Sequence, residues 1–400
     1  MSKTWTTLVL LLGVAAIGSN SLVLSPILTD VASDLGTTPS AIARAIAAYG
    51  GATALSALLL GFLIDRYGAR AVLIGGSVLL SVGTFGSAFA GSWVTLALAQ
   101  ALAGLAAGVM LPAIYAAATT TGTPEEGARI LGRVLTGWSV SLVAGVPLSA
   151  LVAERFGWHA SFVVLGALVL LGLVGFVRMP PHPRTKGGGV KRGEVTKLEG
   201  ARKQDEADPA SGALQAFALP GVPVLLLVQF LFMTAFYGTY AFFGDHLRTS
   251  LGLSTSMAGV VILFYGIGFG LAAIGDGLVD RIGPARALPL ALGFVALAYA
   301  TMPLTAVALL GAFVAAFVWG FANHFVLNVI VLRLSDLSGD ARGTVLGLNS
   351  AITYAGALVG PLALGALYAS EGFTALALGG AGCVALAAAA TIMNRRRAVA

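Results

Sequence analysis

Charge is scarce in this chain of 400 residues: Asp, Glu, Lys and Arg make up 10% of it against 58% hydrophobic residues, and the mean hydropathy is +0.92. A soluble globular protein carries about 25% charged residues, because its surface has to be hydrated. So large a deficit excludes an ordinary soluble protein and leaves the hydrocarbon of a bilayer as the solvent for most of the surface. Cysteine is nearly absent as well. Cys383 stands alone, which excludes an intrachain disulfide and a thiolate metal cluster. The four histidines, His159, His182, His246 and His324, are scattered over loops and different apolar runs. No metal is therefore expected, and no Ser/His/Asp, Cys/His or paired-carboxylate constellation within the apolar runs points to an enzyme. A phosphate-binding loop is missing too, which removes ATP-driven pumping within this chain and leaves no cofactor to expect.

What is there is a series of long apolar runs. About 20 apolar residues cross a bilayer, and runs of that order lie near 5–28, 41–64, 71–90, 93–118, 128–152 and 159–177, then near 220–243, 256–279, 286–303, 306–333, 343–368 and 373–393. The first run is too long for a signal-peptide core and has no convincing cleavage site, so it reads as a spanning helix. Twelve spans result, in an all-α membrane protein. From Arg178 to Ser211 the composition changes to eight Lys or Arg, five Asp or Glu and the triplet Gly187-Gly188-Gly189, the make-up of a solvated linker. The expected division is 1–177 for an N-terminal six-helix bundle, 178–215 for a cytoplasmic linker and 216–400 for a C-terminal six-helix bundle.

Cations fix the orientation. With both termini cytoplasmic, 20 of the 23 Lys and Arg residues fall on the cytoplasmic side, leaving Arg44, Arg155 and Arg248 outside, as the positive-inside rule requires. The basic balance thus reports topology. It gives no sign of nucleic-acid binding, since the cations are dispersed over several loops and accompany no binding motif. Short loops and the lack of a glycosylation sequon suggest the inner membrane of a bacterium.

An internal repeat runs at about 215 residues. Gly61-Phe-Leu-Ile-Asp65-Arg66-Tyr-Gly68-Ala-Arg70 after span 2 matches Gly277-Leu-Val-Asp280-Arg281-Ile-Gly283-Pro-Ala-Arg286 after span 8, and Gly145-Val-Pro147 in span 5 matches Gly360-Pro361 in span 11. Two matches at nearly one offset indicate two parallel, pseudo-symmetric halves.

These residues resemble the major facilitator superfamily along the whole chain, most closely its twelve-helix drug:proton antiporters. The loop Gly61 to Arg70 is similar to that superfamily's signature G-x-x-x-D-R-x-G-R-[RK], with Ala69 in place of the first terminal base. The resemblance implies the major facilitator fold. It also implies a conformational latch built from Gly61, Asp65, Arg66 and Arg70, with Asp280 and Arg281 in the second copy, that meets span 11 in the outward-facing state and breaks during transport. Read as residues alone, Arg66 and Arg70 serve equally as topology determinants. Span 5 carries Gly137, Ser141, Gly145 and Ser149 at a spacing of four with Pro147 between the last two, a flank of nearly bare backbone. It resembles the antiporter motif of drug:proton antiporters, in which this flank packs against span 8; here span 8 offers Gly266, Gly268, Gly270 and Gly275. Gly157-Trp158-His159-Ala-Ser-Phe162 follows, similar to the family's Gly-Trp-Arg-x-x-Phe.

Two positions depart from that family. Gln100, four residues before Gly104, stands where relatives carry an arginine, and Ser19-Asn20-Ser21 stands where many carry an acid. All 17 acidic residues can be assigned to helix ends, loops or the linker, with Asp30, Asp34, Glu154, Asp245 and Glu371 outside, so no carboxylate is expected at mid-membrane. Arg44 is expected to pair with Asp34. His324 is then the only mid-span side chain with an ordinary pKa near neutrality, and polar groups at that depth normally face the bundle interior. It reads as a substrate contact, a proton carrier or a structural histidine held by Asn328 or a carbonyl.

The candidate cavity comprises Asn20, Gln100, Gln229, Met233, Tyr237, Tyr240, Asn323, His324 and Asn328, with Tyr115, Trp138, Tyr265, Trp319 and Tyr354 as weaker members. Without a full charge at mid-span, the substrate expected is a small neutral or amphipathic organic molecule. The leading reading is a secondary transporter working by alternating access, with efflux by proton antiport implied by the resemblance. The alternatives are a facilitator or uptake carrier for a neutral metabolite and, more distantly, a receptor that kept the fold without transport. Partners expected are the substrate, the lipid bilayer and protons, with the chain monomeric.

Overall fold

The computed structural model describes residues 3–179 and 214–399. Among them every regular element is helical. Span 1 is Lys3–Leu22 continued, after a break at Val23, as Leu24–Asp34; span 2 is Pro39–Leu59; span 3, Ala69–Ala88; span 4, Trp93–Thr119. Span 5 runs from Pro124–Val140 through a π-helical turn at Ser141–Gly145 into Val146–Phe156, and span 6 is Trp158–Arg178. In the second half, span 7 is Val222–Leu251, span 8 is Thr255–Ala272 followed by a 3-10 turn and Asp276–Ile282, span 9 is Pro284–Thr305 and span 10 is Leu309–Ser338. Arg342–Val399 is a continuous helical stretch that bends at Gly372, which divides it into span 11 and span 12. Among the described residues eleven stretches are long and apolar enough to cross a membrane, and the last of them supplies two crossings. Most of the expected linker, residues 180–213, lies outside the described residues.

Local sequence explains where the helices begin. Ser92 and Thr95 at span 4, and Thr123 and Glu126 at span 5, form reciprocal capping boxes, each satisfying two backbone donors that the first turn leaves free. Thr38 and Ser254 cap spans 2 and 8, and Pro39 sits in the first turn of span 2, where its missing N–H costs nothing. The repeat is visible in the turns. Gly36, Gly68, Gly122 and Gly157 have positive φ, and so do Gly252, Gly283, Gly339 and Gly372 at corresponding places in the second half. Gly68 and Gly283 adopt nearly one conformation, φ 83° and ψ 151° against φ 84° and ψ 136°. Backbone turning points thus recur at the offset of the sequence repeat.

Without a hydrophobic force between helices in lipid, spans associate through close packing and interhelical hydrogen bonds. Small residues set that packing. A Cβ at Gly104 would strike the backbone of Tyr49 between spans 4 and 2, and one at Gly320 the backbone of Tyr265 between spans 10 and 8. Large apolar side chains such as Leu98, Phe156, Ile274 and Leu310 face outward, the lipid-facing counterpart of the low charge content.

The two halves meet along spans 2 and 11, 5 and 8, and 1 and 7. A Cβ at Gly50 would come within 2.7 Å of the Ala357 backbone, one at Gly244 within 2.8 Å of Pro26, and one at Gly259 within 2.6 Å of Ala150. Crowding fades toward the end of the bundle that holds Arg70. There Gly132, Gly277, Gly343 and Gly347 have no atom within 4 Å of a built Cβ, and Leu58, Leu59 and Phe62 are exposed. The seam is therefore closed at the end holding Asp30 and loose at the other.

Candidate functional site

The closed end of the seam is polar. Arg248 of span 7 lies 2.7 Å from Asp30 of span 1, and Thr255 donates to the second oxygen of Asp30 at 2.7 Å. Asp245, one turn before Arg248, is buried and accepts from Thr29 of span 1 at 2.7 Å and from Tyr368 of span 11 at 2.6 Å. Ser25 donates to the Tyr240 carbonyl, and Glu154 accepts from the Ser256 amide at 2.6 Å. An interhelical hydrogen bond in a membrane protein contributes about 0.6 kcal/mol. Four of these bonds and one partly exposed ion pair span the two halves, giving on the order of 3 kcal/mol. That is small enough for a ligand's preference between two states to overturn.

Midway along span 10, His324 meets a carboxylate. Its Nε2 lies 3.0 Å from Asp276 Oδ1, and Asn328 donates to the same oxygen at 2.8 Å. Here the expectation of an uncharged mid-span fails. Sequence placed Asp276 near the end of span 8, but the 3-10 turn at Ala273–Gly275 precedes it, and it shares a face with the buried Ala272 and Val279 while Leu271, Ile274 and Leu278 point outward. Gly275 lets Phe325 approach, so spans 8 and 10 lie close enough for a mid-span histidine to reach this acid. Asp245 is a second correction: expected at a helix end, it is only 2% exposed and bridges the halves. Neither His324 nor Asn328 stands free in a cavity, and the inference of an uncharged substrate loses its premise.

Around this pair, spans 7 to 10 form an aromatic cluster. Trp319 packs on Tyr265, Tyr299, Phe236 and Phe243 at centroid distances of 4.8 to 5.8 Å. Tyr240 and Phe236 join it, while Phe269 links Tyr265 to His324. Asn323 donates to Tyr265 Oη at 3.0 Å and Gln229 to Thr353 of span 11 at 2.7 Å. Met233 packs against Gly356 of span 11, and Tyr237 is buried against Phe236. Asn323 Oδ1, Gln229 Oε1, Tyr240 Oη and Tyr354 Oη are buried without a hydrogen-bond partner, as are Tyr299 Oη and Trp319 Nε1, so the cluster has capacity for a polar ligand.

The N-terminal half contributes less. Asn20 donates to Thr84 at 3.1 Å and Gln100 to Ser87 at 2.9 Å, both on span 3, so these amide nitrogens are held within their own bundle, while Asn20 Oδ1 is buried without a hydrogen-bond partner. Tyr115 accepts from Trp138 at 3.2 Å. Arg44 stacks over Trp93 at 5.1 Å and leaves Asp34 to Trp158, whose Nε1 lies 3.0 Å away. His159 Nε2 lies 3.8 Å from the same carboxylate, so Asp34 is taken up by span 6, Arg44 by the indole face of Trp93, and the expected Arg44–Asp34 pair is not seen.

The sequence matches the family model described as Major Facilitator Superfamily over residues 9–361. The chain belongs to the major facilitator superfamily. It is 31% identical to an uncharacterised MFS-type transporter, YwfA, of Bacillus subtilis (strain 168), over 93% of this chain and 88% of the relative. A chloramphenicol resistance protein of Streptomyces lividans is 24% identical over 92% and 93% of the two chains. Among solved structures, the nucleoside transporter NupG superposes with a TM-score of 0.75 at 17% identity, covering 99% of this chain and all of that one, a likeness of fold. As a major facilitator protein the chain is a multi-pass membrane transporter and not an enzyme.

Family motifs take up specific places in this state. Arg70 donates to the last carbonyls of span 6, to Val177 at 2.5 Å and Phe176 at 3.4 Å, where a cation complements the negative helix end. Arg66 stacks on Tyr67, Asp280 and Arg281 are exposed, and the side chain of Asp65 lies outside the described residues. The antiporter-like flank of span 5 differs from its expected partner. Gly137 meets Leu11 and Val14, and Gly145 and Ser141 meet Ser19 and Gly18, all on span 1. Span 8 instead presses Gly259 and Gly266 onto Pro147, Ala150, Leu142 and Val143, while Gly268 and Gly275 face span 10 and Gly270 is open. The π-helical turn at Ser141–Gly145 re-phases the flank, because a wider turn shifts the face that follows it. Gly360, beside Pro361, meets Thr234 and Gly238 of span 7, the counterpart of Gly145 on span 1.

Proposed function

We propose that this chain is a secondary transporter that exports a small amphipathic organic molecule in exchange for protons, its halves rocking about the seam. The asymmetry of the seam carries the reading: weak polar bonds close the Asp30 end while the Arg70 end stays loose. With the cation-rich Arg70 end in the cytoplasm, as the positive-inside rule favours, this is an inward-facing state. The latch of Gly61, Asp65, Arg66 and Arg70, with Asp280 and Arg281, belongs to the opposite state. Domain limits of 1–177, 178–215 and 216–400, cytoplasmic termini and a monomeric chain complete the proposal.

Substrate contact is assigned to Gln229, Met233, Tyr237, Tyr240 and Asn323, whose unpartnered oxygens and aromatic faces suit an amphipathic ligand. Asp276 beside His324 admits a basic group on that ligand as well as neutral compounds. The His324–Asp276 pair is the proton-exchanging element, since an imidazole nitrogen and a carboxylate oxygen 3.0 Å apart can pass a proton between them. Export is favoured by relatives named for chloramphenicol resistance and, in Mannheimia succiniciproducens, for probable sugar efflux. The test is a thermal-shift panel of amphipathic compounds, neutral and basic, followed by transport of those that bind in proteoliposomes with an imposed pH gradient. Saturable flux driven by the gradient supports the proposal. Flux indifferent to pH would replace it with facilitated diffusion.

A further inference from the structure

Spans 2, 7 and 11 meet where the packed part of the seam gives way to its loose end. Gly50 of span 2 stands against the Ala357 backbone of span 11, and Met233 of span 7 lies against Gly356. One turn nearer the Arg70 end, Gln229 donates through Nε2 to Thr353 at 2.7 Å, and Asn349 stands one turn beyond Thr353 on span 11. Both amide side chains are buried, 1% and 8% exposed. Neither Gln229 Oε1 nor Asn349 Oδ1 has a hydrogen-bond partner. Two residues further, a Cβ built at Gly347 has no atom within 4 Å, so the two oxygens lie at the rim of the loose stretch.

Thr353 fixes which way Gln229 turns. Its hydroxyl hydrogen is committed to the Asn349 carbonyl at 2.8 Å, so toward Gln229 that hydroxyl can only accept. The amide nitrogen must therefore face Thr353, and the amide oxygen points elsewhere. Asn349, on the same face of span 11 as Thr353, brings a second acceptor to this corner, with Cβ atoms one helical turn apart, roughly 5–6 Å. A phenol rotates to donate or to accept, whereas an amide oxygen only accepts. Each unpaired oxygen destabilises the packed site, and a ligand relieves it only by bringing hydrogens.

We propose that Gln229 and Asn349 form an acceptor pair that recognises an amino or carboxamide group on the substrate, so that the protein selects N–H donors over analogues lacking them. An NH2 group carries two hydrogens and can bridge two neighbouring acceptors. The inference rests on the substrate assignment above and deepens it, from an amphipathic compound to one with a primary nitrogen. Asn349 joins Gln229 as a specificity-determining residue, and Thr353 acts as a positioning residue through Gln229. Discrimination of this kind is steep, because an analogue without hydrogens leaves both buried oxygens unpaired.

Calorimetric titration of the purified full chain with matched probes tests it. One pair is an alkyl-substituted benzamide and its N,N-dimethyl derivative. The other is an alkyl-substituted benzylamine and its quaternary trimethylammonium derivative, which retains the positive charge and so separates hydrogen-bond donation from charge. The wild type should bind the N–H member of at least one pair about tenfold more tightly than its methylated partner. In Asn349→Leu and in Gln229→Met that preference should fall to within about threefold, while affinity for the methylated member is kept and shows that the variants are folded. Equal binding within both pairs by the wild type, a comparison that needs no variant, would overturn the acceptor pair and leave gradient-driven transport standing. A preference that survives both substitutions would overturn it as well. Binding of no probe would overturn the pair together with the substrate assignment on which it rests.

Discussion

Arg248 on span 7 and Asp30 on span 1 stand 2.7 Å apart and join the two halves through an ion pair at one end of the seam. Both side chains are mostly covered, 18% and 30% exposed, and Thr255 adds a hydrogen bond to the acid. Arg248→Ala removes the charge and leaves Asp30 with the threonine alone. The expected outcome is an increase of about tenfold in the population open at this end, equivalent to about 1.4 kcal/mol. Maleimide labelling of Ser25→Cys measures it, and unchanged labelling would show that the ion pair does not hold the seam.

Asp245 is the second tie. Asp245→Ala leaves the Thr29 and Tyr368 hydroxyls without their acceptor, which costs about 1–3 kcal/mol, whereas Asp245→Asn keeps one carbonyl oxygen for them. Thermal unfolding of the purified protein in detergent should show a lower Tm for the alanine variant and a smaller change for the asparagine variant. Equal losses would mean that the negative charge, and not the acceptor, is what the two hydroxyls require.

Gly50 faces the Ala357 backbone across the seam, with 2.7 Å to a built Cβ. A leucine there has nowhere to go while this end is closed. Overpacking of this kind costs about 1–3 kcal/mol, and Gly50→Leu should therefore raise labelling at position 25 and slow transport while the chain still inserts at normal abundance. A variant with wild-type labelling would show that spans 2 and 11 have slack at this point.

The spans, the repeat and the family were legible because each rests on a local or periodic signal. Hydropathy marks a crossing, and the Gly61–Arg70 motif recurs after span 8 with its turn glycine, Gly68 or Gly283, in the same backbone conformation. Depth and partnership were not legible. Asp276 lies six residues from the end of span 8, which by distance along one helix makes it a terminal charge, but the crossing of span 10 brings mid-span His324 to it. The sequence places Asp30 and Arg248 on one side of the membrane, yet nothing in either neighbourhood says that they meet. Asn20 and Gln100 read as cavity residues because they stand where the resembling family carries an acid and an arginine, and position in a motif does not tell how an uncharged replacement turns. Thr84 and Ser87, two hydroxyls one turn apart on span 3, are the hint that this orientation leaves in the sequence.

The exchange of protons for substrate at His324 and Asp276 is the central claim, and flux in proteoliposomes under an imposed pH gradient tests it most directly. With a compound selected by thermal shift, the wild type should accumulate it against its own gradient. His324→Ala should lose that accumulation at least tenfold while counterflow of the same compound stays within about threefold, because the imidazole carries the proton and the binding groups of spans 7 and 10 remain. Equal accumulation by wild type and His324→Ala across the pH range would contradict the account.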